Sequence, residues 1–143
     1  MKIVALDFET ANSNHNSACA LGMIAVCDDQ IVGEKEFLIC PPSDDFHYTH
    51  IHNITWDMVA EEPPFANFIP EILNFFEDTK YLLAHNAKFD RSVLKSCFAE
   101  SANYPPNIPF VCTVKLAKRA WPNLPNYKLD TVCSHLGLSL IHI

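Results

Sequence analysis

The stretch VALDFETA, residues 4–11, decides how the rest of the chain is read. In an extended segment alternate side chains share a face, so Asp7 and Glu9 point together while Val4, Leu6 and Phe8 point the other way. Up to its end the segment KIVALDFE, residues 2–9, is apolar on both faces, as expected for the centre of a sheet. Two adjacent carboxylates at the end of such a strand repel. Burying them is costly unless one keeps a proton or a cation lies between them, so the pair reads as half of a metal site. A solvated strand end produces the same D-x-E pattern, and the pair alone does not decide between the two.

Outward from this strand, TANSNHNS (10–17) makes a polar loop. ACALGMIAVC (18–27) and QIVGEKEFLIC (30–40), parted by Asp28 and Asp29, predict a hairpin of two antiparallel strands. PPSDDFHYTHIHN (41–53) reads as irregular. Thr55 is placed to cap a short helix, WDMVAEE (56–62), and PPF opens another through FANFIPEILNFFED (65–78). In the latter, Phe65, Phe68, Ile69, Ile72, Leu73, Phe75 and Phe76 form a broad apolar stripe, with Pro70 a local irregularity. KYLLAHN (80–86) reads as a short buried strand, and AKFDRSVLKSCFAES (87–101) as a helix carrying Phe89, Val93, Leu94, Cys97 and Phe98 at helical spacing. PFVCT (109–113) is a further short strand. VKLAKRAW (114–121) and YKLDTVCSHLG (127–137) are short helices parted by PNLPN. This order predicts an α/β fold: a mixed sheet of about five strands, with an antiparallel hairpin on one side, parallel crossovers on the other and flanking helices.

The 143 residues suit one domain with a real core, expected over 1–137, with 49% hydrophobic and 19% charged content and no repeat. A net charge of -7 argues against a simple polycation that grips phosphates by charge alone, though an acidic site filled with divalent cations can still attract a phosphate. The apolar runs fall short of a membrane span and Met1 leads directly into strand-like residues, so a cytoplasmic protein with no membrane association is expected. Six cysteines form no C-x-x-C pair and read as reduced, buried thiols.

A third acid, Asp90, falls in the first turn of the helix after LLAHN and can reach the same sheet end as Asp7 and Glu9. An acid there is also favoured by the helix dipole, with Asn86 as the cap. Three carboxylates together suit a hard cation, Mg²⁺ or Mn²⁺, better than zinc. Lys88, Arg91, Lys95, Lys115, Lys118 and Arg119 are either a strand-guiding surface or the wet side of helices.

ALDFETA (5–11) and AHNAKFDRSVL (84–94) resemble the first two motifs of the DEDD 3′-5′ exonucleases, in the branch with a histidine base represented by the epsilon proofreading subunit of bacterial DNA polymerase III. IHNIT (51–55) is similar to a family segment near the substrate, and residues 112–137 resemble the approach to the third motif. The resemblance implies a ribonuclease H-like fold and hydrolysis of phosphodiester bonds at a nucleic acid 3′ end, expected to be single-stranded DNA, with possible polymerase association. It implies two ions about 4 Å apart, bridged by Asp7, with Glu9 on one and Asp90 on the other. It also implies that Thr10 helps hold the terminal nucleotide, with Phe8, Thr55, Asn86 and Phe89 as further substrate candidates. From the residues alone, core packing accounts for Phe8 and Phe89 better than base contact does, and Thr55 and Asn86 as helix caps need no substrate.

The family's third motif supplies a histidine base and, five residues on, a fourth acid. His142 is followed only by Ile143, and His135 is followed five places on by Leu140. His52 with Asp57 and His85 with Asp90 have the spacing but lie upstream, and neither is assigned as base. LSLIHI (138–143) is what the mosaic end of transposase-based sequencing libraries encodes in one frame, so a non-native tail is expected there, with the missing histidine and acid in a longer parent. The chain as written is then expected to cleave little. The alternative is a non-catalytic nucleic-acid-binding or polymerase-associated module.

Overall fold

The computed structural model describes residues 1–139; His142 and the last four residues of the expected tail lie outside them. β1 (Lys2–Thr10), β2 (Ala18–Cys27) and β3 (Gln30–Leu38) form an antiparallel meander, followed by the short helices α1 (Thr49–His52) and α2 (Trp56–Val59). Then come α3 (Phe65–Phe76), β4 (Thr79–Ala84), α4 (Ala87–Ala99), β5 (Phe110–Cys112), α5 (Thr113–Ala120) and α6 (Leu129–His135). The sheet order is β3-β2-β1-β4-β5, with β4 and β5 parallel to β1, which is the expected five-stranded mixed sheet.

The two faces of the sheet differ. Val4, Leu6 and Phe8 of β1, Leu21 and Met23 of β2, and Leu82 and Ala84 of β4 are buried in one core with Ile69, Ile72 and Phe76 of α3 and Val93, Leu94, Cys97 and Phe98 of α4. α3 keeps its helix through Pro70, so the proline costs one backbone bond without ending the element. The opposite face carries Ala5, Asp7, Gly22, Ile24, Glu34, Glu36, Leu83 and His85, which line an open groove of about 730 Å³ together with Leu129 of α6. On this face Ala5 is exposed and Ile24 is 41% exposed.

Several local expectations are revised. The stretch 41–53 contains α1, and the helix expected over 56–62 ends at Val59, ahead of Pro63. Thr55 and Asn86 both sit at N-cap positions, but neither side chain makes a capping bond, and Asn86 is left-handed at φ 72°. Of the six cysteines only Cys19 and Cys97 are buried; all six are free thiols. α6 closes on Gly137 at φ 71°, where the Gly137 N–H meets Ser134 and the Leu138 N–H meets Cys133, the paired bonds that favour glycine after a helix. No helix among the described residues is long and apolar enough to cross a membrane.

Candidate active site

β1 pairs with β4 only from Lys2 to Ala5, then the two strands part. The crevice between their carboxyl ends is where a sheet with antiparallel neighbours on one side and parallel ones on the other has room for a ligand. Beyond Ala5, the N–H groups of β1 that face β4 lose their ladder partners. Asp90, in the first turn of α4, fills one gap: its Oδ1 accepts from the Phe8 N–H at 2.9 Å. Asp90 is 1% exposed, so a residue 82 positions away is fixed between Asp7 and Glu9 in the backbone sense.

The three acids share this rim and repel. Burial pushes the Asp90 carboxyl up to about 7, opposed by the Phe8 bond and reinforced by the charges of Asp7 and Glu9. Burial and then the Asp7 charge raise Glu9 to about 7. Asp7 is raised by burial, with His85 opposing. Among the described residues, no three His, Cys, Asp or Glu side chains close into a ready-made cage. The acids are within range to repel without forming a chelate. Their chemistry nonetheless fits a hard cation: the donors are all carboxylate oxygen, and burial first, with mutual repulsion at Glu9 and Asp90, raises them towards neutral forms that a bound cation would oppose. Gly22 lies directly across the ladder from Asp7, and a Cβ built there meets nothing within 4 Å, so the space beside that carboxylate is free.

The expected substrate residues distribute unevenly. Phe8 is buried against Phe65 with ring centroids 6.4 Å apart, so its ring faces the core and only its backbone serves the site. Thr10 is 3% exposed, and its carbonyl meets His52 Nε2 at 3.0 Å. Phe89 is half-buried, edge-on to the exposed His15 at 6.1 Å, on the border of the core. Thr55 and Asn86 are exposed, leaving both side chains open to solvent.

Three features were not drawn from the sequence. The Ile54 N–H donates to His52 Nδ1 at 3.0 Å, so Nε2 carries the ring proton and donates to Thr10, which ties IHNIT to the end of β1. Buried Asn12 donates through Nδ2 to the Asp45 carbonyl at 2.7 Å, a second stitch between the same loops. His85 has both ring nitrogens engaged, with Thr113 and with the Tyr127 carbonyl. The only signal for these in the sequence is a polar residue beside an apolar strand end, which many solvated residues share.

The RNase_T exonuclease family model matches residues 4–142. The PolC-type DNA polymerase III of Clostridium perfringens is 30% identical over 140 residues, covering 96% of this chain and 10% of the relative. Exodeoxyribonuclease 10 of Escherichia coli K12 is 32% identical over 105 residues, covering 73% of this chain and 42% of the relative. The chain thus spans about a tenth of the polymerase relative and under half of the exodeoxyribonuclease. Among solved structures, exonuclease X in complex with 5′ overhanging duplex DNA superposes with a TM-score of 0.77 at 26% identity, over 97% of this chain and 75% of that one. Product-bound exonuclease I gives 0.82 at 18% identity, over 96% and 39%, a match of fold.

Proposed function

Because the chain belongs to the RNase_T exonuclease family, we propose that it is the exonuclease unit of a DNA-processing protein and shortens DNA from a 3′ end. Asp7, Glu9 and Asp90 would hold two divalent cations, Mg²⁺ or Mn²⁺, at the crevice between β1 and β4. The observation that carries this reading is the Asp90–Phe8 bond, which joins a carboxyl from α4 to the two on β1. Bound there, a cation pair supplies Lewis-acid activation of water and neutralises charge at phosphorus during in-line displacement.

The chain's own residues set the stage for that step. Asp7, open on the side of Gly22, would hold the cations together with Glu9 and with Asp90, which the Phe8 N–H fixes beside them. Thr10 holds the terminal nucleotide with Thr55, Asn86 and Phe89 around it, while Phe8 contributes through its backbone. Lys88, Arg91, Lys95, Lys115, Lys118 and Arg119 are exposed, and none has an acidic partner among the described residues, which suits a surface that guides a phosphate strand. The PolC-type relatives support association with a polymerase, a cytoplasmic setting is part of the same reading, and single-stranded DNA is the substrate we favour.

Residues 1–137 are taken as the exonuclease unit in this reading, while the family match itself runs on to residue 142. After Asp90 no histidine of the sequence is followed five places on by an aspartate. A positioned base contributes about 10²–10⁴ in rate, so slow cleavage is expected of these 143 residues. That feature also favours the second reading, a nucleic-acid-binding module without chemistry.

The test is calorimetric titration of Mn²⁺ into the chain and into Asp7→Ala, alongside loss of label from the 3′ end of a single strand. Mn²⁺ binding that requires Asp7, with slow 3′ loss that Asp7→Ala abolishes, is the expected result. Binding without cleavage in either chain favours the second reading, and no Asp7-dependent binding overturns both metal roles.

A further inference from the structure

His85 directly follows the last residue of β4, Ala84, on the open face of the sheet and lines the groove beside Asp7. Its Nε2 lies 2.8 Å from the Tyr127 carbonyl, which can only accept, so Nε2 carries a proton. Its Nδ1 lies 2.9 Å from Thr113 Oγ1, the first residue of α5, and that hydroxyl is also 3.3 Å from the Ala84 carbonyl. One ring therefore touches the end of β4, the start of α5 and the segment that leads into α6.

That segment, residues 121–128, is poor in bonds of its own. Pro122 and Pro125 have no N–H to give, and the remaining side-chain bonds are local: the Tyr127 hydroxyl donates to Trp121, and Asn126 Oδ1 accepts from the Lys128 N–H and from Thr131. Among the described residues, the His85–Tyr127 bond is the one hydrogen bond that joins 121–128 to the sheet end. Directly after it, Leu129 of α6 forms one wall of the groove that holds Asp7.

We propose that His85 is a positioning residue: a two-ended latch whose Nε2–H fixes the 121–129 segment against the carboxyl end of β4 and so holds the wall of the groove next to Asp7. With both nitrogens occupied it does not serve as the proton acceptor for the attacking water, although its spacing to Asp90 imitates that of a base and acid. The claim about the groove wall stands without a metal. Its effect on ion binding rests on the reading of Asp7 given above.

The test uses the full chain and two substitutions that each keep one end of the latch. A glutamine amide reaches the place of Nε2 and an asparagine amide the place of Nδ1. In metal-free protein, His85→Asn is expected to speed amide hydrogen exchange at 121–131 at least tenfold, with β1 and α4 amides unchanged, while His85→Gln stays within about threefold of the parent. Equal protection in His85→Asn and the parent overturns the latch, and so does a loss in His85→Gln as large as that in His85→Asn. Nitrogen-15 spectra of the unsubstituted chain give a reading that depends on no variant folding. A slowly exchanging Nε2–H on His85 is expected, and an unprotonated Nε2 overturns the proposal. Mn²⁺ affinity should fall three- to tenfold in His85→Asn and be kept in His85→Gln. Asp7→Ala run in parallel reports on the metal reading separately, since the exchange and nitrogen measurements contain no metal.

Discussion

At the scale of single residues, the site is defined by protons held longer than usual. Glu9 and Asp90 titrate near 7 because burial and mutual repulsion favour their neutral forms. A carboxyl raised in the folded state binds more protons there than in the unfolded chain between its two pKa values. Its contribution to stability is therefore full below about pH 4 and is lost as pH rises through about 7. Divalent ions need the ionised forms, so affinity for Mn²⁺ is expected to climb through pH 7, checked by titrations at pH 6 and pH 8. Asp90→Asn keeps an acceptor for the Phe8 N–H but removes the buried charge. Without divalent ions at pH 8 it should gain about 1–3 kcal/mol, a gain that shrinks towards pH 5, and it should lose the stabilisation that Mn²⁺ gives the parent. Denaturant unfolding at the two pH values, with and without Mn²⁺, measures all of this. The alternation in VALDFETA made Asp7 and Glu9 legible as a pair on one face. The Asp90–Phe8 bond was not legible as such, since nothing local in either segment encodes a contact 82 residues apart. His52 and His85 were hidden for a similar reason: the Thr10 carbonyl that His52 meets, and the Thr113 hydroxyl and Tyr127 carbonyl that His85 meets, belong to other elements and leave no pattern in the sequence.

At the scale of elements, period did most of the work. α3 and α4 follow the 3.6-residue repeat of their apolar side chains, although Leu73 of the expected α3 stripe is 42% exposed, and β1, read as apolar on both faces, buries only the face of Val4, Leu6 and Phe8 while Ala5 is exposed. α1 escaped because its four residues, Thr49–His52, hold one apolar side chain and have no room for a period. α2 fell short because Pro63 disfavours helix in the residue before it and leaves turn at 60–62. The element most exposed to damage is α4, which both fills the core and carries Asp90. Phe98 on it is fully buried and meets Phe65 edge-on at 5.5 Å. Phe98→Ala should cost about 3–5 kcal/mol, seen as a lower denaturant midpoint with an unchanged slope. Should the helix shift in response, Mn²⁺ affinity would drop as well, since the Asp90 carboxyl travels with it.

At the scale of the whole molecule, an acidic chain presents cations along the exposed sides of α4 and α5. Each lysine that meets a phosphate adds about 0.7 to the salt dependence of single-strand binding. Replacing both Lys88 and Lys115 with Gln should therefore lower the slope of log affinity against log salt by about 1.4, measured by fluorescence anisotropy in Ca²⁺ to suppress cleavage. An unchanged slope would mean that the strand runs elsewhere. The sheet, meanwhile, has its main core on one face, and on the other, beyond the smaller cluster of Ala20 with Ile54 and Val59, Gly22 stands opposite Asp7 in the open groove. Glycine inside a strand sacrifices roughly 0.5–1 kcal/mol relative to alanine, and nothing steric demands it here. A directed-evolution campaign scored on melting temperature alone would thus be drawn to position 22, and would harvest hardier variants in which the room beside Asp7 had been filled.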